Sequence, residues 1–126
     1  MGGGRLKETV LWTNPNPTSS SGFANQTVTL SDNISNYKYI SIKGAINYVQ
    51  SERTDYFFEA SQFPHFTANQ AYPQPYIGFY NNNYFLRLAL YISDTQIAFD
   101  LGMRIIGANK TWDNTVCIPI SISGWK

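Results

Sequence analysis

Four stretches of this chain alternate apolar and polar residues with period two, and helical spacing is nearly absent. A period of two places one side-chain row on each face of a strand, so these stretches predict half-buried β-strands. Ile40, Ile42, Ile46 and Tyr48 form one row, with Gly44 between them and Tyr39, Ser41, Lys43 and Asn47 opposite. Leu86, Leu88, Leu90 and Ile92 form a second, opposite Phe85, Arg87, Ala89 and Tyr91. Ile97, Phe99, Leu101, Met103 and Ile105 form a third, and Val116, Ile118, Ile120 and Ile122 a fourth. Weaker strand signals cover residues 9–13, 27–30, 56–62 and 76–80. The fold expected is all-β, an antiparallel β-sandwich or jelly roll of about eight strands. Its core is expected to hold Leu86, Leu88, Leu90, Ile92, Phe99, Leu101, Ile118 and Ile120.

Turn chemistry separates the strands. Asn81, Asn82 and Asn83 lie between two Tyr, and Asn tolerates the positive φ of a tight hairpin. Ser93, Asp94 and Thr95 read as a second turn, and residues 107–114 as a longer loop carrying Trp112. Pro119 lacks a ladder donor, which places the last strand at an edge or gives it a bulge. Trp12 and Trp125 lie in the two terminal segments and are read as structural, the two ends pairing with each other.

At 126 residues the chain is one domain, expected over 8–126 after a glycine-rich linker or cloning remnant at 1–7. That is long enough to bury a core without a disulfide or metal staple. Charged residues make up 13%, about half the usual share, so the surface is neutral and hydrogen-bonding. The net charge is +1 and the nine basic residues are scattered. Such scatter cannot neutralise a run of phosphates, so nucleic acid is not an expected partner. No apolar run has a spanning length of about 18 residues, so membrane insertion is not expected either.

Catalytic constellations are sparse. The single histidine, His65, sits in a turn-like apolar context, and the single cysteine, Cys117, reads as a packed thiol. One of each cannot build a His/Cys zinc site. Glu52, Asp55 and Glu59 are the nearest acidic group, read as solvated rather than as a glycosidase pair. Asp94, Asp113 and Asn114 offer oxygen ligands but no dense calcium loop. No enzymatic activity, cofactor or metal is expected.

Aromatic residues beside amides carry the binding signal. Tyr72 and Tyr76 flank a proline-stiffened turn, Tyr80 and Tyr84 bracket Asn82 and Asn83, and Trp112 precedes Asp113 and Asn114. Sugars bind by laying an apolar ring face on an aromatic side chain while carboxylates and amides take the hydroxyls. These nine residues form the candidate glycan site. The competing reading is that the rings pack over the sandwich edge and the Asn residues merely form turns. Phe85, Ala89 and Tyr91 share a strand face with Arg87 that is too apolar to leave to water. Either a neighbouring protomer or a long loop is expected to cover it.

The ends of the chain carry a resemblance. Leu11, Trp12, Asn14, Pro17, Thr18, Phe23, Gln26, Thr27, Val28 and Leu30 follow an L-W-x-N-x-x-P-T-x-x-F-x-x-Q-T-V-x-L arrangement with altered spacing before Phe23. Tyr37, Tyr39 and Ile40 continue it as Y-x-Y-I, and residues 117–126 close it as C-I-P-x-x-I-x-G-x-K. This pattern resembles terminal domains of phage and prophage tail, baseplate or receptor-binding proteins from Gram-positive hosts. The resemblance implies a tail-tip domain that recognises a host cell-surface polysaccharide, located in the virion and in the infected host's cytoplasm before assembly. It also implies a homo-oligomer, a trimer, formed through strand faces. Two alternatives stand beside it: a structural virion component binding only other virion proteins, and a carbohydrate-binding module of a wall-degrading enzyme. Residues 50–114 match no motif, and partner specificity is expected there.

Overall fold

The computed structural model describes residues 6–65, 75–80 and 83–126. Ten strands are present among them: β1 Glu8–Thr13, β2 Gln26–Thr29, β3 Tyr39–Asn47, β4 Arg53–Glu59, β5 Tyr76–Tyr80, β6 Tyr84–Ser93, β7 Gln96–Phe99, β8 Met103–Ile106, β9 Asn109–Trp112 and β10 Val116–Trp125. Their pairing is antiparallel throughout and forms two sheets. The first has the order β1-β10-β3-β4, and the second runs β2-β7-β6-β8-β9 with β5 added beside β6. The predicted all-β sandwich is therefore present, with short 3-10 turns at Ile34–Asn36 and Ala60–His65.

The chain ends meet as expected. Glu8 pairs with Trp125 and Thr9 with Gly124, so the two terminal segments are neighbours in the first sheet. Pro119 does not place β10 at an edge, because β10 lies between β1 and β3. Its ladder instead slips between Pro119 and Ser121, which is the bulge alternative. Asn14 fastens this slip: its backbone N–H donates to the Ile120 carbonyl and its side-chain amide to the Pro119 carbonyl.

Between the sheets lie Ile40, Ile42, Ile77, Ile97, Phe99, Ile118 and Ile122, all buried. Gly44 lets the sheets approach closely, since a Cβ there would collide with the Ile77 side chain. Phe63, in the 3-10 turn after β4, closes one end by packing on Phe58 and Tyr91. Trp12, Phe23 and Phe99 form a second aromatic group with centroid distances of 5.7–6.1 Å.

One expectation about the core is reversed. Strand β6 turns Arg87 and Ala89 into the core, with Phe85 and Tyr91 packed against it. Leu86, Leu88 and Leu90 lie on the outward face, half-buried, and Ile92 is exposed. Leu101 and Ile120 are also only half-buried, while Phe99 and Ile118 are buried as expected. The inward face of β6 is thus the one expected to be covered by a neighbouring protomer or a long loop. Within the monomer it is covered by the first sheet.

The physical reason is Arg87, which is 0% exposed. Its Nε donates to the Cys117 carbonyl at 2.7 Å, Nη1 to Asp100 at 2.7 Å, and Nη2 to Val116 at 3.0 Å and Asn114 at 3.3 Å. The guanidinium fork satisfies carbonyls where two ladders are interrupted. One interruption is the break between β7 and β8, and the other is the start of β10, where Cys117 adopts φ 53. The Phe23 ring lies 5.4 Å from the guanidinium carbon. Burial lowers the Arg87 pKa to about 10, against the opposing fields of Cys117, Asp100 and Asp113, so it stays charged at neutral pH.

Candidate functional site

Directly opposed residues of an antiparallel pair share a sheet face, which allows the outward face of the second sheet to be read from its register. Tyr80 opposes Tyr84, Tyr84 opposes Ile105, and Ile105 opposes Lys110. In the next row, Gly78 opposes Leu86, Leu86 opposes Met103, and Met103 opposes Trp112. Three candidate rings therefore lie on one face: Tyr80 at 68% exposure, Tyr84 at 58% and Trp112 at 58%. The two Tyr rings are 4.8 Å apart and tilted 46°. Trp112 stands two strands across and two residues along from Tyr84, roughly 12 Å away by strand geometry.

Trp112 reaches this face because it is in a strand. Residues 107–114 are not one loop: Gly107, at φ 59, turns the chain between β8 and β9, and Trp112 ends β9. Asn109, Lys110 and Thr111 show no apolar alternation, so nothing in the pattern marks a strand there. Tyr76 lies on the same face of β5, opposite Leu88, but its ring leans on Tyr56, 5.3 Å away at the sandwich edge. Burial raises the pKa of the Tyr56 hydroxyl, and the Tyr76 field adds to that. Asn83 sits, half-buried, at the hairpin end beside the two Tyr. Tyr72 and Asn82 lie outside the described residues.

Asp113 and Asn114 do not join the rings. The Asp113 carboxylate accepts from the Thr115 amide at 2.8 Å and its hydroxyl at 2.6 Å, and lies 2.7 Å from Arg104 Nε. Partial burial pushes its pKa up, but the Thr115 bonds and then Arg104 outweigh that and leave it lowered. The Arg104 approach is a close ion contact whose N–H misses hydrogen-bond geometry. The Asn114 carbonyl accepts from Phe23 N–H and from Arg87, and Gly22, at φ 81, sits directly against this backbone. Both residues hold the loop before β10. The polar group that does stand among the rings is Lys110, exposed and without an ion pair among the described residues.

The other candidate reactive groups are separated. Asp94 is tied to the Ser35 amide and hydroxyl. His65 is exposed at the end of its 3-10 turn, whereas Cys117 is fully buried. Burial pushes the Cys117 thiol up to about 12, partly offset by the charge of Arg87. Two outcomes follow. Folded protein should resist a thiol-alkylating reagent at pH 8, and unfolding in denaturant should release one reactive thiol. Cys117 should also make stability fall as pH rises from 9 to about 10, above which Arg87, lowered to about 10, loses its proton in the folded chain first and opposes the fall. In that window the unfolded chain has lost a proton that the folded chain keeps, and the slope is at most about 1.4 kcal/mol per pH unit. A Cys117→Ser variant should lose that alkaline slope in denaturation measured at several pH values.

No family model, curated protein or solved structure matches this chain.

Proposed function

We propose that this is a non-enzymatic tail-tip or receptor-binding domain of a phage or prophage that recognises a host cell-surface glycan. The observation that carries the reading is the exposed ring face formed by Tyr80, Tyr84 and Trp112. Aromatic rings left to water on a sheet face are the surface on which pyranose rings stack. Their spacing fits several consecutive sugars better than a single ring. With Lys110 as the charged group in the same rows, the face favours a neutral or anionic polysaccharide over a cationic one. Weak sites repeated on several protomers would add through effective concentration.

A second reading has its own observation. The rings continue into Leu86, Leu88, Leu90 and Ile92 on the same outward face, and a continuous apolar face also suits docking between virion proteins. Variants separate the two. Tyr80→Ala and Trp112→Ala should each weaken binding to purified cell-wall polysaccharide by about 1–3 kcal/mol, which is fivefold to 150-fold. Melting temperatures should stay nearly unchanged, because both side chains are mainly in solvent. Full polysaccharide binding by both folded variants would remove the ring face from the function.

A further inference from the structure

On the opposite side of the sandwich, the outward face of the first sheet holds a pit of about 130 Å³. We propose that it binds one neutral saccharide ring, as a subsite independent of the ring face described above. The ligand class rests on the carbohydrate reading; the pit itself rests on its own geometry.

Four strands build it in register. Val10, Ser123, Ser41 and Phe57 form one cross-strand row, and Ser121, Lys43 and Asp55 form the next. Trp125 and Phe57 make an aromatic wall, with centroids 5.4 Å apart. Ser41 and Ser123 make the floor and are buried although they point away from the core. Outward serines on a flat sheet face would be wet, so their burial reports the depth of the wall around them.

The polar groups are held in place but not all used. The Ser123 hydroxyl donates to Glu8 Oε2 at 2.6 Å, which fixes that carboxylate at the rim. The Trp125 indole N–H donates to Ser41 Oγ at 2.9 Å. Ser41 is thereby an acceptor, and its own proton has no acceptor among the described residues. Lys43 and Asp55 face one another across β3 and β4 without an ion pair. A pyranose presents one C–H face and a ring of hydroxyls that both donate and accept. The pit presents an aromatic wall, acceptors at Glu8 and Asp55, and donors at Ser41 and Lys43. Two carboxylates against one ammonium disfavour a phosphate or an acidic sugar.

The Trp125 indole N–H reports the site directly because it bonds to the floor. The test is a ¹H–¹⁵N titration of the indole resonances with the methyl glycosides of glucose, galactose and N-acetylglucosamine, with glycerol as control. At least one glycoside should shift the Trp125 resonance saturably, while Trp12 stays unmoved. Lys43→Ala and Asp55→Asn, both at the rim, should weaken that response at least tenfold, and Trp112→Ala should leave it intact. No Trp125 response to any of the three glycosides would overturn the proposal. An equal response to glycerol, or one that persists in both rim variants, would do the same. A response at Trp112 alone would remove the pit and leave the ring face standing. A Trp125 response that survives Trp112→Ala would support the pit even if the ring face failed.

Discussion

Arg87→Met should be the most destabilising single change, bringing the domain towards the margin of folding at room temperature. Methionine fills much of the same space but donates nothing, so the Cys117, Asp100 and Val116 carbonyls lose the guanidinium as donor inside the sandwich, while the Asn114 carbonyl keeps the Phe23 N–H. An unsatisfied buried acceptor costs about 1–3 kcal/mol. Relaxation will recover part of this, but a loss on the order of 5 kcal/mol rivals the whole stability of a small domain, about 5–15 kcal/mol. The Phe23 contact is lost as well. Arg87→Lys should rescue only a fraction, because one ammonium cannot reach carbonyls on both sides of a planar fork. Thermal denaturation followed by circular dichroism measures this. A Met variant melting within a few degrees of the parent would show that the carbonyl cluster does not hold the two sheets together.

Phe99→Ala should be the next most damaging change, at about 3–5 kcal/mol. Phe99 is buried and touches both Trp12 and Phe23, so its removal empties the centre of an aromatic group linking β1, β7 and the loop before β2. Leu88→Ala serves as the contrast. That side chain lies on the outward face and is half-buried, so its truncation should cost clearly less than that of Phe99. Urea denaturation of both variants would check the ranking. Equal costs would mean that Leu88 packs as a core residue and that the assigned face of β6 is wrong.

The alternation that revealed the strands is a property of each strand alone, and so it was readable without knowing the fold. Which face turns inward is a property of the pair of sheets. In β6 both rows are apolar enough to be core, and the one charged residue pointed the assignment the wrong way. Burial of Arg87 becomes intelligible only when carbonyls from Asp100, Asn114, Val116 and Cys117, distant in sequence, are seen to converge on it. Trp112 illustrates the opposite limit. Residues Asn109–Trp112 form a strand because β8 offers an edge to pair with, not because their own pattern requires it. The candidate site was legible to the extent that Tyr80 and Tyr84 bracket a hairpin, which local sequence specifies. Its junction with Trp112 was not legible, because it depends on β6, β8 and β9 lying side by side. Asp113 and Asn114 were misplaced for the same reason: adjacency to Trp112 in sequence put them beside its ring, while the chain turns inward immediately after it.

The most direct measurement is a glycan array carrying Gram-positive cell-wall polysaccharides, probed with the parent domain and with a Tyr80→Ala/Tyr84→Ala double variant. The parent should bind at least one polysaccharide saturably. The double variant should give a signal at least tenfold weaker at an unchanged melting temperature. Binding that is equal for the two proteins, or absent from every polysaccharide while the parent domain is folded, would contradict a glycan-binding ring face.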